Sequence, residues 1–322
     1  MKTTRRKSQW GSSLHTFLAL TMVLLALESC KILGSAEKIM INKFAKKGIV
    51  GQRFVSPDAG RQVYYKFHGK PKLVLVHGFG ASGIGQYYKS SLKLQEDFDL
   101  ILPDLLYCGR SMGDSVEFSI DGQVEHLKAI LDSLKVDEPV YLVGNSYGGL
   151  VSAYFAEYYP EMVSKLIIYD SPVNCYSLSY ADSLAQSLGV PNIDNLLSPT
   201  TVHENRQSFD LIFYDQPWIP RFIRKNLVKH GSVPMRGYQI PLLNHLKENE
   251  ADYNSHLFDF RMPVYLVWGD SDRLIPLSTM RCIQERYNIP DERVTIIPKA
   301  AHAFNVEYPD QFVEYIQKTL LQ

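Results

Sequence analysis

The chain has 322 residues, 45% of them hydrophobic and 21% charged. That is a globular rather than a disordered composition, long enough for one or two domains. Lys plus Arg and Asp plus Glu both number 34, so the formal net charge is zero. With no basic stripe, RNP pattern or zinc-finger spacing in the body, nucleic acid is not an expected partner. Cys30, Cys108, Cys175 and Cys282 form no C-x-x-C, and no H-E-x-x-H occurs. A mechanism without metal or cofactor is therefore expected.

Lys2, Arg5, Arg6 and Lys7 precede an apolar run over residues 14–27. A charged flank before a run of this length reads as a signal peptide or a signal anchor, and sends the following chain out of the cytoplasm. Leu27-Glu28-Ser29-Cys30 is similar to a lipobox, with Cys30 as the lipidated residue. Plain secretion and a retained anchor stand beside lipidation, so residues 1–36 are set apart as a targeting or anchoring segment. Residues 37–50 alternate Ile39, Met40, Ile41 and Phe44 with Lys38, Lys43, Lys46 and Lys47. They predict a basic amphipathic helix, either lying on an anionic membrane or packed against the body.

The body then alternates strands and helices. Strands are predicted over 62–67, 72–76, 100–103, 140–143 and 165–169, with helices over 87–98, 119–134 and 150–158. From about 173 to 258 the alternation stops and helical, aromatic-rich sequence takes over. It resumes with strands at 263–268 and 293–298 and helices at 277–287 and 309–321. The expected architecture is an α/β fold: a mostly parallel sheet covered on both faces (37–172 and 259–322), interrupted by a helical cap over 173–258.

The chemistry centres on Gly144-Asn145-Ser146-Tyr147-Gly148, a G-x-S-x-G match between an apolar strand and a helix. Such a turn lifts the serine clear of the sheet as a nucleophile. A serine hydroxyl needs a base, and the base needs an orienting acid. His302 follows the last strand and Asp272 the one before it, both at the carboxyl edge where open α/β sheets bind ligands. Asp270 and Asp170 are rivals for the acid. The oxyanion requires two backbone donors, for which Tyr147 N–H and Phe79 N–H, within His77-Gly78-Phe79-Gly80, are the candidates. His77 is expected to hold that loop rather than to transfer protons. Phe213 and Trp218 in the cap are the expected substrate contacts.

His77-Gly78, Gly144-x-Ser146-x-Gly148, Trp268-Gly-x-x-Asp272, and Ala301-His302 with Glu307-x-Pro309 occur in this order. On these motifs, residues 62–321 resemble α/β-hydrolase-fold serine hydrolases. Residues 119–124 and 141–160, with the N-terminal hydrophobic segment, are most similar to membrane-anchored monoacylglycerol lipases. The resemblance implies hydrolysis of lipid-like carboxylic esters at a membrane, without a cofactor. Tyr107-Cys108-Gly109 departs from the Gly-x-Gly of many relatives. Two alternatives remain: a hydrolase of carbon–carbon bonds in ring-cleavage diketones, and a non-catalytic binding protein on the same fold.

Overall fold

Alternate residues of the central strands face opposite sides, and both sides are apolar, so the sheet is covered twice. The computed structural model describes residues 32–57, 59–113 and 118–322. Among them nine strands form one sheet: β1 (Val50–Val55), β2 (Ala59–Lys66), β3 (Lys72–Val76), β4 (Asp99–Pro103), β5 (Met112–Gly113), β6 (Val140–Asn145), β7 (Val163–Tyr169), β8 (Val264–Gly269) and β9 (Val294–Ile297). Their spatial order is β1-β2-β4-β3-β6-β7-β8-β9, with β5 paired to β2. From β4 to β9 neighbouring strands run parallel; β1 and β2 form an antiparallel edge.

Leu73, Leu75, Val143, Ile167, Tyr169 and Val267 share one core with Phe44 of α1 (Ile32–Lys46), Tyr87 of α2 (Gly83–Leu94) and Phe312, near the C-terminus. Val74, Val76, Leu142, Ile168, Leu266 and Trp268 share the other with Leu127 of α3 (Ile120–Ser133) and Phe155 of α4 (Tyr147–Tyr158). This is the near-continuous apolar patterning that a doubly covered parallel strand requires. The molecule is thus an α/β-hydrolase fold, as the sequence predicts.

Several elements differ from expectation, β1 and the helix after β3 most of all. β1 was not anticipated, because nearly all of it is exposed and no apolar alternation marks it. The helix expected over 87–98 begins at Gly83, where Ser82 Oγ accepts the Gly85 N–H at 3.1 Å. That cap starts the helix through residues of poor intrinsic propensity.

α1 lies against the body. Phe44 is fully buried, its ring 6.1 Å from that of Tyr64, and Glu37 pairs with Arg110 at 2.8 Å. The apolar run at 14–27 and Cys30 lie outside the described residues. Among the described residues no helix is long and apolar enough to cross a membrane.

Between β7 and β8 the chain forms α5 (Leu178–Ser187), α6 (Ile193–Leu197), α7 (Val202–Ile212), α8 (Arg221–Asn226), a π-helical turn (Leu227–Ser232), α9 (Val233–Glu248) and α10 (Glu250–Ser255). Links of several kinds fasten this helical insertion to the body. A Cys175–Cys282 disulfide joins its root to α11 (Leu277–Arg286). The Ala303 N–H donates to Ile212 O at 2.8 Å. The Tyr214 and Asp215 N–H groups donate to the Glu307 carboxylate at 3.1 and 2.7 Å.

Candidate active site

Strand register brings the site together. Val76 pairs with Gly144, Asn145 with Tyr169, Tyr169 with Val267 and Gly269 with Ile297, so five strands end on one edge. Phe79, Ser146, Asp272 and His302 all follow within five residues of those ends.

Ser146 sits between β6 and α4 with φ +52°. A non-glycine residue in the left-handed region costs on the order of 1–2 kcal/mol and needs surroundings that enforce it. Here Ser146 N donates to Tyr169 O at 3.1 Å, and Ser171 Oγ donates to Ser146 O at 2.6 Å. The flanking glycines are required by close approach. A Cβ on Gly144 would lie 2.5 Å from Gly148 O, and one on Gly148 would lie 2.3 Å from His77 O.

His302 Nδ1 is 2.8 Å from Asp272 Oδ2, and both residues are buried. Asp272 Oδ1 accepts the N–H groups of Leu274 and Ile275 at 2.8 and 2.9 Å. Three donors therefore fix this carboxylate. Asp270, one rival, instead accepts from Ser271 Oγ at 2.7 Å and Lys299 N at 2.8 Å on the exposed side of the loop. Asp170, the other, is buried beside Asp272.

The His77–Gly80 loop abuts the serine. A Cβ on Gly78 would be 3.3 Å from Ser146 Cβ, and the Phe79 and Tyr147 rings meet edge to face at 5.9 Å. Tyr147 opens α4, so its N–H is one of the first donors without an intrahelical acceptor. His77 Nε2 accepts the Leu105 N–H at 2.9 Å while its Nδ1 faces Gly78 O at 2.7 Å, as in a neutral ring that staples two loops. Burial pushes this imidazole down from 6.5 to about 4, against the raising effect of the Gly78 bond.

Gln86 of α2 was not singled out from the sequence. Its Oε1 accepts the Gly78 N–H at 2.9 Å, and its Nε2 donates to Asn145 Oδ1 at 2.8 Å and Tyr169 OH at 3.1 Å. One side chain thus ties the Gly78 loop to the residue before Ser146.

The His77 shift gives a pH prediction. The unfolded imidazole takes up a proton near 6.5 and the folded one only near 4. Stability is therefore lost as pH falls through that window, by about 3 kcal/mol. Asp104 acts in the opposite sense. Burial raises it from 3.8 to about 6, against the N–H bonds of Arg110 and Gly83. Acidification relieves that cost over nearly the same range. His77→Gln removes only the first effect. Between pH 7 and pH 4 the variant should gain about 3 kcal/mol on the wild type in denaturant titrations. A constant difference would mean that His77 is not held neutral.

Ser146 opens into a cavity of about 100 Å³ that is partly open to solvent. The body lines it with Ser146, Tyr147, Leu150, Phe79, Leu274 and Ile275. The cap contributes Val173, Tyr176, Ile193, Leu197, Leu243 and Leu246, with Glu250 the only charged residue of the lining. Phe213 and Trp218, expected as substrate contacts, do not line this cavity. Phe213 packs on Phe209 at 5.6 Å, and Trp218 is 87% exposed. Among the described residues no cluster of His, Cys, Asp and Glu could hold a metal ion.

Residues 71–190 match a family described as having the alpha/beta hydrolase fold. Human monoacylglycerol lipase ABHD6 is 26% identical over 267 residues, 79% of this chain and 78% of that one. A 2-hydroxy-6-oxononadienedioate/2-hydroxy-6-oxononatrienedioate hydrolase of Paraburkholderia phymatum is 26% identical, over 76% of this chain and 85% of its own. Among solved structures, a membrane phospholipase A described as a bacterial virulence factor superposes with a TM-score of 0.76, covering 96% of both chains at 22% identity. The chain has the alpha/beta hydrolase fold, and in sequence it is similar to lipases, monoacylglycerol lipases among them.

Proposed function

We propose that the protein is a serine hydrolase of carboxylic esters with a long apolar acyl group, monoacylglycerol-like esters included. One observation carries the reading: the strained Ser146 turn and the Leu274–Ile275 segment, whose N–H groups hold the His302-bonded Asp272, border the same apolar cavity. Ser146 Oγ attacks the acyl carbon. His302 takes the hydroxyl proton through Nε2 and returns it to the leaving alkoxide, while Asp272 holds Nδ1–H and offsets the imidazolium charge. Tyr147 and Phe79 N–H groups receive the oxyanion, and the N-terminus of α4 favours negative charge there. Water then releases the acid from the acyl-enzyme.

The lining favours esters over the diketone alternative. The relative from Paraburkholderia acts, by its name, on dicarboxylates. This cavity has neither Lys nor Arg in its lining, and carries Glu250. A second carboxylate entering it would be desolvated without a counter-charge. Membrane attachment with the hydrolase outside the cytoplasm is part of the same proposal. The Cys175–Cys282 disulfide supports the compartment, since such bonds persist where the environment oxidises. The test is fluorophosphonate labelling of the full chain, followed by a panel of monoacylglycerols, short aryl esters and a ring-cleavage diketone. Labelling with turnover of monoacylglycerols is expected. Labelling with diketone turnover alone would reverse the substrate class, and failure to label would favour a binding protein.

The cavity also predicts selectivity. Leu246 lines it from α9 and is only partly buried, so a larger side chain projects into free space. Leu246→Trp should lower kcat/KM for long-chain esters roughly tenfold relative to short ones, because each displaced methylene forfeits about 0.8 kcal/mol. Trp218→Ala should leave the ratio unchanged with monomeric substrates. A ratio that moves with Trp218 and not with Leu246 would place the acyl chain elsewhere.

A further inference from the structure

Asp170 stands at the end of β7 with φ +45°, completely buried. Its Oδ1 accepts the Gly269 N–H at 3.0 Å. Its Oδ2 is buried and, among the described residues, has no hydrogen-bond donor. The same turn holds Asp272, whose N–H donates to Gly269 O at 3.3 Å, so the two carboxyl groups are neighbours. Both groups are acceptors when ionised, so the contact lacks a donor unless one of them carries a proton. Two carboxylates sharing a dry site cannot both ionise. Asp272 already receives three donors and Asp170 only one. The proton therefore belongs on Asp170.

We propose that Asp170 is a positioning residue: a neutral carboxylic acid whose O–H is donated to Asp272, fixing that carboxylate and moderating the charge it presents to His302. The inference rests on the reading of His302 as the base. Burial, and next the charge of Asp272, drive the Asp170 carboxyl well above the usual carboxylate range. The titratable and charged groups around the pair are Asp272 and Arg273 after β8, His302 after β9, and the phenols of Tyr169, Tyr176 and Tyr180. No lysine or arginine among the described residues offsets the charge at Asp170. A donor on Asp272 weakens its hold on the imidazolium, so Asp170 tempers the charge that Asp272 presents to His302.

Asp170→Asn keeps a donor for Asp272 and an acceptor for Gly269, and so imitates the neutral acid. Asp170→Ala removes the donor. The His302 imidazole is followed by NMR titration in the full chain, which requires no turnover. Asn should leave the midpoint within about 0.3 units of wild type, and Ala should raise it by about one unit. In the infrared, wild type at pH 7 should show a protonated-carboxyl stretch that Asp170→Asn lacks; this holds even if the alanine variant fails to fold. A midpoint lowered by a unit in Asp170→Asn, or no such band, would overturn the proposal by showing an ionised Asp170. An unmoved midpoint in folded Asp170→Ala would also overturn it, by showing no coupling. Fluorophosphonate labelling in parallel tests the hydrolase reading separately: unlabelled wild type with the predicted band defeats that reading and not the proton on Asp170.

Discussion

Ser146→Ala is expected to lower kcat on a carboxylic ester by about 10⁶-fold, the scale of losing a nucleophile that acts as one unit with its base. The serine contributes to the proposed chemistry through Oγ alone. Its turn is held by backbone groups, Ser146 N to Tyr169 O and Ser171 Oγ to Ser146 O, which alanine leaves intact. Alanine also meets the same penalty at φ +52° that serine does. The melting temperature should therefore barely move while turnover disappears. Ser146→Gly separates the two properties further. Glycine takes this conformation without strain, so the variant should be as inactive as alanine yet more stable than it, by about 1 kcal/mol. Steady-state kinetics and thermal unfolding of the three proteins check the claim. Residual activity within tenfold of wild type in either variant would remove Ser146 from the mechanism.

The residues proposed as nucleophile, acid and base are each announced locally. Ser146 carries its own five-residue turn between a strand and a helix, and Asp272 and His302 each follow an apolar strand. Parallel register then aligns strand ends that the sequence only counts. Gln86 was not legible: its side-chain partners lie 8, 59 and 83 residues away, and nothing near residue 86 hints at them. The cavity wall was misread for a different reason. An excess of aromatics in the cap points to Phe213 and Trp218, but the inward face of a packed helical layer depends on how its helices rotate against the sheet. The wall is built from Ile193, Leu243 and Leu246 instead, and Trp218 points to solvent. The disulfide joins positions 107 residues apart and has no local signature either. In residues 37–50, Phe44 is completely buried and Met40 and Ile41 pack partly on the same core, whereas Ile39 is exposed.

Asp272→Asn should cost about 10⁴ in kcat, because an amide facing Nδ1 favours the wrong imidazole tautomer and stabilises no charge. The rival acids sharpen the claim. Asp270 contacts the His302 loop through Lys299 N at 2.8 Å, not through the imidazole, so Asp270→Asn should lose less than roughly tenfold by loosening the loop. Asp170→Asn retains a donor to Asp272 and should also stay within roughly tenfold. The order of effects is therefore Asp272 far ahead, with the other two alike. Local geometry explains why no neighbour can substitute. Asp272 receives the Leu274 and Ile275 N–H groups on Oδ1 and the imidazole on Oδ2, so its orientation is set before His302 is charged. Asp170 would have to give up its Gly269 bond and leave a left-handed backbone position to reach the ring. The measurement is kcat for the three asparagine variants on one ester at a pH where His302 is neutral. Should Asp170→Asn fall by 10³ or more while Asp272→Asn stays within tenfold, the acid would sit at the end of β7, and the pair would have to be read with the proton on Asp272.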